Sequence, residues 1–201
     1  MQWNRYRVLL ATPQGLDSSA LVIAADRADG LGILDGTGQD VRDQAIRRLR
    51  DFKVRSYAIR VQPHEVGQDW LDQAGENLVA AVCSNPGTPE QLRNACTHVH
   101  ATSRRALCEV TSVAEAEAAL DAGSDGLIAV GHEAGGRVGA DSAFILLQAI
   151  LSRTDRPVWI RGGIGPRVAA GCIAACGAHD LQWDQSWGNR QGSRSVRGSS
   201  A

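Results

Sequence analysis

The chain has 201 residues and a formal net charge of −1, and its positive charge comes from arginine because Lys53 is the only lysine. This length suits one domain with a continuous core, and a near-neutral charge without a basic run argues against nucleic acid as a partner. No apolar run approaches the roughly 20 residues of a membrane-spanning helix, and the start of the chain lacks a signal-peptide pattern. Five cysteines without a C-x-x-C pair argue against disulfides and zinc, so we expect a reducing, cytoplasmic setting.

Short runs rich in Val, Ile and Leu alternate with longer segments of helical period, the pattern of parallel strands joined by helices. Eight strands are predicted, at residues 7–13, 31–35, 56–62, 78–84, 106–112, 126–131, 157–163 and 180–184. Seven helices are predicted, at residues 18–28, 41–52, 65–75, 88–96, 112–123, 142–153 and 167–178. Thr88, Ser112 and Asp141 are the predicted start signals of the fourth, fifth and sixth helices.

Eight strands and seven helices predict an α/β fold, a compact (β/α)8 TIM barrel of residues 1–185 that lacks its last helix. A doubly wound open sheet is the competing architecture, and the pattern leaves it open. Residues 186–201 are rich in Gly, Ser and Arg and have no apolar period. Such a segment cannot bury enough surface to offset its ordering entropy, so this tail is predicted to be disordered.

Ligands of such barrels bind at the carboxyl ends of the strands, so the segments that follow the strands are the candidate site. The segment GHEAGGRVG, residues 131–139, follows the predicted sixth strand. Its glycines Gly135 and Gly136 carry no Cβ, so a flat or anionic ligand can approach the backbone there. We interpret this segment as a candidate ligand loop.

Two further strand ends are candidates. RGGIG, residues 161–165, follows the seventh strand and precedes a predicted helix, which is the usual phosphate position of these barrels. The turn Pro13-Gln14-Gly15, taken alone, favours an ordinary connection between strand and helix.

Other chemistries find little support in the sequence. His132 and Glu133 do not begin a zinc motif, because the partner position of H-E-x-x-H is Gly136. Nucleophilic catalysis lacks a G-x-S-x-G motif and a cysteine that can be paired with a histidine. The spacing of two other pairs does not indicate a catalytic or metal site, and we expect solvated turns there: Asp17/Asp35 and His98/His100.

The order of strand, EAGGRVG loop, helix, RGGIG loop and alanine-rich helix between Gly126 and Gly177 resembles the nitronate monooxygenase (2-nitropropane dioxygenase-like) family. The likeness extends from Pro13 to about Asp184 and is greatest to the polyketide-synthase-associated branch. Members are FMN-binding (β/α)8 barrels that oxidise alkyl nitronates with O₂, and relatives include flavin-dependent enoyl reductases. The resemblance implies an FMN-dependent oxidoreductase that acts on a nitronate or on an enoyl or acyl thioester.

The resemblance also implies roles for individual residues around FMN. Six residues would face or line the flavin ring: Pro13, Gln14, Gly15, Gly131, Gly135 and Gly136. The phosphate would be bound by Gly162, Gly163 and residues 182–185, beginning with Gln182.

Four positions depart from the family pattern. Arg137 stands at the position of the family's catalytic histidine, Arg60 near a usual asparagine, Val130 at a glutamine, and Asp184-Gln185 at a Gly-Thr pair. A guanidinium does not exchange a proton near neutral pH. Arg137 is therefore expected to hold an anionic substrate group or to stabilise enolate charge, with His132 as a substitute acid or base.

A second hypothesis belongs to another class of protein. The missing eighth helix and the Gly/Ser/Arg tail favour a truncated or degenerate barrel without catalytic activity, which binds domains of a polyketide or fatty acid synthase.

Overall fold

The computed structural model describes residues 8–12, 19–36, 38–66, 71, 74–163 and 180–184. Eight parallel strands form a closed barrel in sequence order: β1 Val8–Ala11, β2 Leu31–Asp35, β3 Tyr57–Val61, β4 Leu78–Cys83, β5 Arg105–Val110, β6 Gly126–Val130, β7 Val158–Arg161 and β8 Asp180–Asp184. β1 pairs with both β2 and β8, so the sheet has no open edge. The predicted (β/α)8 barrel is confirmed, and the doubly wound open sheet is wrong.

In the described part of the chain, five α-helices with defined bounds and one short 3₁₀ helix lie between the strands. The α-helices are α1 Ser19–Arg27, α2 Gln39–Asp51, α3 Pro89–Ala101, α4 Val113–Asp121 and α5 Ala143–Leu151, and the 3₁₀ helix is Pro63–Glu65. Most of the predicted third helix, and all of the predicted helix 167–178 and tail 186–201, lie outside the described residues. In the part of the chain that is described, none of the helices has the length and apolarity needed to cross a membrane.

The starts of three helices follow the chemistry of N-capping. The side chain of Thr88 accepts from the Gln91 amide, and that of Ser112 accepts from the Glu115 amide, so both predicted starts are confirmed. The prediction of Asp141 as the third start is wrong. Ser142 caps α5 by accepting from its third residue, while the Asp141 carbonyl accepts from the His132 amide.

The predicted end of α3 at residue 96 is also wrong, because the helix continues to Ala101. Its last turn is polar on one side but buries Val99 on the other, so the helix stays attached to the barrel. His98 and His100 consequently lie on a helix and not in a solvated turn, and His100 Nε2 lies 2.8 Å from Asp125 Oδ2.

The core has two layers because successive residues of a strand face opposite sides of the sheet. The outer layer packs the strands against the helices and contains residues such as Leu146 and Ile150 of α5. The inner layer fills the barrel with mostly small or branched side chains: Leu9, Ala11, Leu31, Ile33, Ala58, Ala80, Val82, Leu107, Ile128, Val130 and Trp159. At the carboxyl ends of the strands, the inward positions become charged.

Candidate functional site

Three charged side chains meet inside the barrel at the carboxyl ends of odd-numbered strands. Arg60 follows Ala58 on β3, Glu109 follows Leu107 on β5, and Arg161 follows Trp159 on β7, each on the inward alternation. Glu109 Oε1 lies 3.2 Å from Arg60 Nη2 and 2.8 Å from Arg161 Nη1. All three are buried, at 4%, 5% and 8% exposure. One carboxylate oxygen therefore holds two guanidinium groups in a low-dielectric interior.

Asp35 adds a fourth charge at the end of β2 and is only 4% exposed, so the expectation of a solvated turn is wrong. Its inward position after Ile33 places it next to Arg60 in the strand register. Thr12 joins the two strands, because its hydroxyl accepts from the Asp35 amide at 2.9 Å and its carbonyl accepts from Arg60 Nη1 at 3.0 Å. Two carboxylates thus balance two guanidiniums in this charged layer of Asp35, Arg60, Glu109 and Arg161.

Arg60 contributes an unsatisfied donor to the charged layer. Arg60 Nε is buried and has no hydrogen-bond partner among the described residues. A buried donor without an acceptor costs free energy, so such groups are uncommon in folded proteins. This atom marks a point at which an acceptor from outside the described chain would be stabilising.

The segment 131–141, which we call the mouth loop, connects β6 to α5 across the carboxyl ends of the strands. Its first turn is closed by the amide of Ala134, which donates to the Gly131 carbonyl at 3.0 Å. Its two ends are tied together because the His132 amide donates to the Asp141 carbonyl at 2.9 Å. The loop is therefore a folded element with its own hydrogen bonds.

Two glycines of the mouth loop are required by contacts within the protein. A Cβ on Gly131 would lie 2.2 Å from the Ala143 nitrogen, and a Cβ on Gly139 would lie 2.1 Å from the Thr111 carbonyl oxygen. No side chain can be accommodated against backbone at such distances. Part of the glycine content that favoured a ligand loop is thus explained by close packing of the loop on α5 and on the end of β5.

Gly162 and Gly163 adopt positive φ angles of 118° and 61° directly after β7. Both lie against the mouth loop, since a Cβ on Gly162 would be 3.0 Å from the Ala134 nitrogen and one on Gly163 would be 3.0 Å from Glu133 Cβ. Gly136 also has a positive φ, of 85°. The backbone of RGG and that of the mouth loop therefore come together at one place.

Arg137 lies on the mouth loop with its guanidinium turned to the barrel. Nη1 donates to Glu115 Oε1 at 2.7 Å, and Nη2 donates to Glu115 Oε2 at 3.1 Å. The same two nitrogens also donate to Thr111 Oγ1 and to the Glu109 carbonyl. Burial opposes ionisation of Glu115, but the hydrogen bonds from Arg137 and Thr111 outweigh it and lower the pKa of this carboxyl. Both partners are charged near neutral pH.

His132 and Glu133 have different surroundings although they are adjacent. The His132 ring is 54% exposed and its Nδ1 lies 4.0 Å from Glu133 Oε2. The Glu133 carboxylate accepts from the amide of Ala143 at 3.0 Å and so stabilises the first turn of α5. The His132 ring is therefore open to solvent, whereas Glu133 has a structural partner.

Several of these residues were predicted from the sequence as site residues, and others were not. Seven of the predicted residues lie at the carboxyl ends of β6 and β7: Arg137, His132, Gly131, Gly135, Gly136, Gly162 and Gly163. Three others lie outside the described residues: Pro13, Gln14 and Gly15. Gln182 pairs through its backbone with Leu9 and Arg161. Glu109, Arg161 and Glu115 were not predicted as site residues. The available signal was a single charge at an inward position of a buried strand, as in YAIRV and RALCEV.

No group of His, Cys, Asp or Glu suited to a metal ion is found among the described residues. A cavity of 230 Å³ lies at the other end of the barrel, between α2 and the segment before β4, and includes Tyr57 in its lining. Burial raises the pKa of Tyr57 to about 12, and its hydroxyl donates to the Ala74 carbonyl, so this phenol is neutral and has a partner.

No family model and no curated protein matches the chain. Solved structures do. FabK from Thermotoga maritima has a TM-score of 0.74 and 24% identity over 89% of this chain and 57% of that one. A nitroalkane oxidase from Streptomyces ansochromogenes has a TM-score of 0.72 and 21% identity over 92% and 67%. The N-acetylmannosamine-6-phosphate 2-epimerase from Clostridium perfringens has a TM-score of 0.67 and 16% identity over 90% and 86%.

These matches show the fold that the chain shares with those proteins. The chain spans about three fifths of the length of FabK, and a larger part of the epimerase. The closed barrel is therefore common to proteins with different names and lengths, and function has to be argued from the site.

Proposed function

We propose that the chain is an FMN-dependent oxidoreductase of the nitronate monooxygenase-like class, acting on a nitronate or on an enoyl or acyl thioester. The observation that carries the proposal is the donor set at the carboxyl ends of the strands, where the buried Arg60 Nε has no partner among the described residues. The EAGGR and RGG segments support it, because they lie side by side there. The fold shared with a nitroalkane oxidase is consistent with this class.

The residues present fit FMN in their chemistry. The pyrimidine edge of the ring and the phosphate both present acceptors, and this end of the barrel offers guanidinium and backbone donors. Gly136 has open space at its Cβ position apart from Arg161 Nη2 at 3.5 Å, so a flat group can approach its backbone. Asp35 and Glu109 are not a liability for an electron-rich ligand, because the two arginines of the charged layer balance them.

The residues that would hold FMN are those that the family resemblance implies. Gly135 and Gly136 would face the ring with Pro13, Gln14 and Gly15, while Gly162, Gly163 and Gln182 would hold the phosphate. Bound FMN supplies hydride transfer, which no side chain of the chain can perform. The chain itself contributes orientation through the mouth loop, exclusion of water from the barrel interior, and fixed positive charge.

The distribution of acid and base groups restricts the substrate. A guanidinium at position 137 cannot take up a proton near neutral pH, so a base for a nitroalkane has to be another group. His132 is an exposed imidazole at this end of the barrel and is our candidate acid or base. An enoyl or acyl thioester needs stabilisation of enolate charge, and it suits this site better than a neutral nitroalkane because Arg60 Nε is a buried donor without a partner among the described residues.

Schiff-base chemistry is a poor alternative for this barrel. Lys53 is the only lysine of the chain, and it is exposed in the turn after α2, at the end of the barrel opposite the charged layer. An amine nucleophile is therefore missing from the site.

A second candidate is a non-catalytic barrel that binds domains of a polyketide or fatty acid synthase. One observation favours it: Glu109 of the charged layer already forms ion pairs with both of its guanidinium groups. In that case the mouth is filled by the protein's own charges and does not require a ligand.

Titration of the purified chain with FMN, followed by the visible absorbance and fluorescence of flavin, tests the proposal. We expect a 1:1 complex with a Kd of about 10 µM or tighter. Gly163→Ala should weaken binding by at least about tenfold, because alanine is strained at positive φ and its Cβ meets Glu133. The matched control is Gly75→Ala, which has a similar positive φ of 83° at the other end of the barrel.

The control should bind FMN like the unmodified chain. If the unmodified chain leaves FMN free at about 100 µM, the flavoprotein proposal is wrong and the non-catalytic barrel takes its place.

A further inference from the structure

Arg137 makes a bidentate contact that holds the mouth loop against α4. Both of its terminal nitrogens reach the carboxylate of Glu115, at 2.7 Å and 3.1 Å, in the parallel geometry in which guanidinium and carboxylate match best. Glu115 belongs to the first turn of α4, and its amide donates to the capping Ser112. The loop is thereby tied to a rigid element of the barrel wall.

Glu115 is fixed on its other side by the end of β5. Its Oε2 accepts from the Thr111 amide at 2.8 Å and from the Thr111 hydroxyl at 3.0 Å. Thr111 also contacts the loop, since Gly139 packs on its carbonyl oxygen and its hydroxyl accepts from Arg137. A carboxylate with so many donors is oriented before Arg137 meets it.

A second arginine holds the same loop from inside the barrel. Arg161 Nη1 pairs with Glu109 at 2.8 Å, and its Nη2 donates to the Gly135 carbonyl. Both arginines meet at Glu109, whose carboxylate binds Arg161 and whose carbonyl accepts from Arg137. The mouth loop therefore has one tether to the interior and one to the exterior of the barrel, which converge on one residue of β5.

We propose that Arg137 is a positioning residue, whose guanidinium latches the mouth loop to Glu115 and to the end of β5 so that the loop is set before any ligand binds. Both terminal nitrogens point to protein acceptors, so the group acts through the loop and not by contact with substrate. The link of this latch to turnover rests on the proposed function, because only there does the loop line a cofactor site. The latch itself is a property of the chain alone.

Hydrogen exchange of the chain without flavin tests the latch directly. Arg137→Ala should speed exchange of the His132 and Ala134 amides, which close the mouth loop, by at least about tenfold. The amides of α4 beyond its first turn should keep their exchange rates. The matched control is Arg153→Ala, which breaks another arginine–glutamate pair with α4, that of Arg153 Nε with Glu117 Oε1 at 3.2 Å. It should leave the loop amides unchanged.

A charge swap separates a latch from a ligand contact. Arg137→Glu and Glu115→Arg should each speed loop exchange, and the double variant should recover part of the protection, because the ion pair re-forms although the Thr111 donors lose their acceptor. Arg137→Lys should give an intermediate rate, because an ammonium cannot bind both carboxylate oxygens in the same fork. If FMN binds, its affinity should follow loop protection across this series.

Two results would overturn the proposal. One is loop exchange in Arg137→Ala equal to that of the unmodified chain. The other is a double variant in which loop protection returns while FMN affinity or turnover stays as low as in Arg137→Ala, since that places the guanidinium itself on the ligand. Failure of the proposed function looks different: FMN does not bind to any variant, and the exchange pattern of the latch is still measured.

Discussion

The two ends of the barrel place their charges in opposite ways. At the carboxyl ends of the strands, Arg60, Glu109 and Arg161 are buried inside the barrel and share one carboxylate oxygen. At the amino ends, Asp125 binds Arg105 and His100 on the surface, where these two side chains are 45% and 41% exposed. Burying a charge costs desolvation free energy, so buried charges are kept where a function or a specific geometry needs them. Exposed ion pairs have a small effect on the free energy of unfolding. This contrast supports the proposal that the functional end is the carboxyl side.

The largest effect on the free energy of unfolding should come from removing the Glu109 carboxylate of the buried charged layer. Glu109→Ala leaves two guanidiniums inside the barrel with a single remaining carboxylate, that of Asp35, and should lower the free energy of unfolding by about 3–5 kcal/mol. Urea denaturation followed by circular dichroism measures this change. Glu109→Gln keeps the shape and removes only the charge, and it should also destabilise. A loss below about 1 kcal/mol in both variants would show that the charged layer is not buried as described.

A smaller effect is expected from the packing of the mouth loop at the same end. Gly131→Ala puts a Cβ against the Ala143 backbone and should lower the free energy of unfolding by about 1–3 kcal/mol. Gly38→Ala is the contrast, because nothing lies within 4 Å of its Cβ position but its φ is positive, at 80°, so it measures backbone strain without crowding. Gly131 does not have a positive φ, so a loss at Gly131→Ala smaller than that at Gly38→Ala would contradict the crowding of the mouth loop on α5. Thermal and urea unfolding of the two variants decide between these causes.

The smallest effect should come from the amino end, and it depends on pH. Burial opposes ionisation of Asp125, but the Ala106 amide, His100 and Arg105 lower the pKa of its carboxyl below its ordinary value. A lowered pKa in the folded state gives stability that is complete above the ordinary aspartate pKa and is lost as the pH falls through the folded value. Asp125→Asn should thus cost about 1 kcal/mol at pH 7 and almost nothing near pH 2.

Unfolding curves of this variant and of the unmodified chain from pH 2 to pH 7 measure the difference. A cost that stays constant over this range would contradict an electrostatic role for Asp125.

The strands could be predicted from the sequence because buried parallel strands are short apolar runs with clear breaks. The bounds of β2 and β8 were predicted to the residue, and most of the other strands were predicted one or two residues too long at their ends. Two of these extra residues, Ser84 and Thr111, are buried but lie in loops at the carboxyl ends of the strands. Thr88 and Ser112 were predictable as caps since their side chains act within one helical turn.

The charged layer could not be predicted in the same way. A single arginine or glutamate in YAIRV or RALCEV looks like an interruption of an apolar run, and its partner lies 49 to 52 residues away on another strand. Arg60 attracted notice only as a departure from a family pattern. Arg161 was taken as the start of a glycine loop, although it is the last inward residue of β7. Such partners are defined by barrel closure and register, and local sequence contains neither.

We expect the order in which the barrel assembles to depend on where the charged layer lies in the chain. Its arginines and Glu109 lie on β3, β5 and β7, and Glu115 and the mouth loop lie between β5 and β7. Pairing of β1 with β8 joins distant parts of the chain, so its loop-closure entropy is the largest of any strand pair in the barrel. A partly folded sheet of β3 to β7 can therefore already assemble the ion pairs and the latch. In that order of events, closure of the barrel removes these charges from water only after they have found each other.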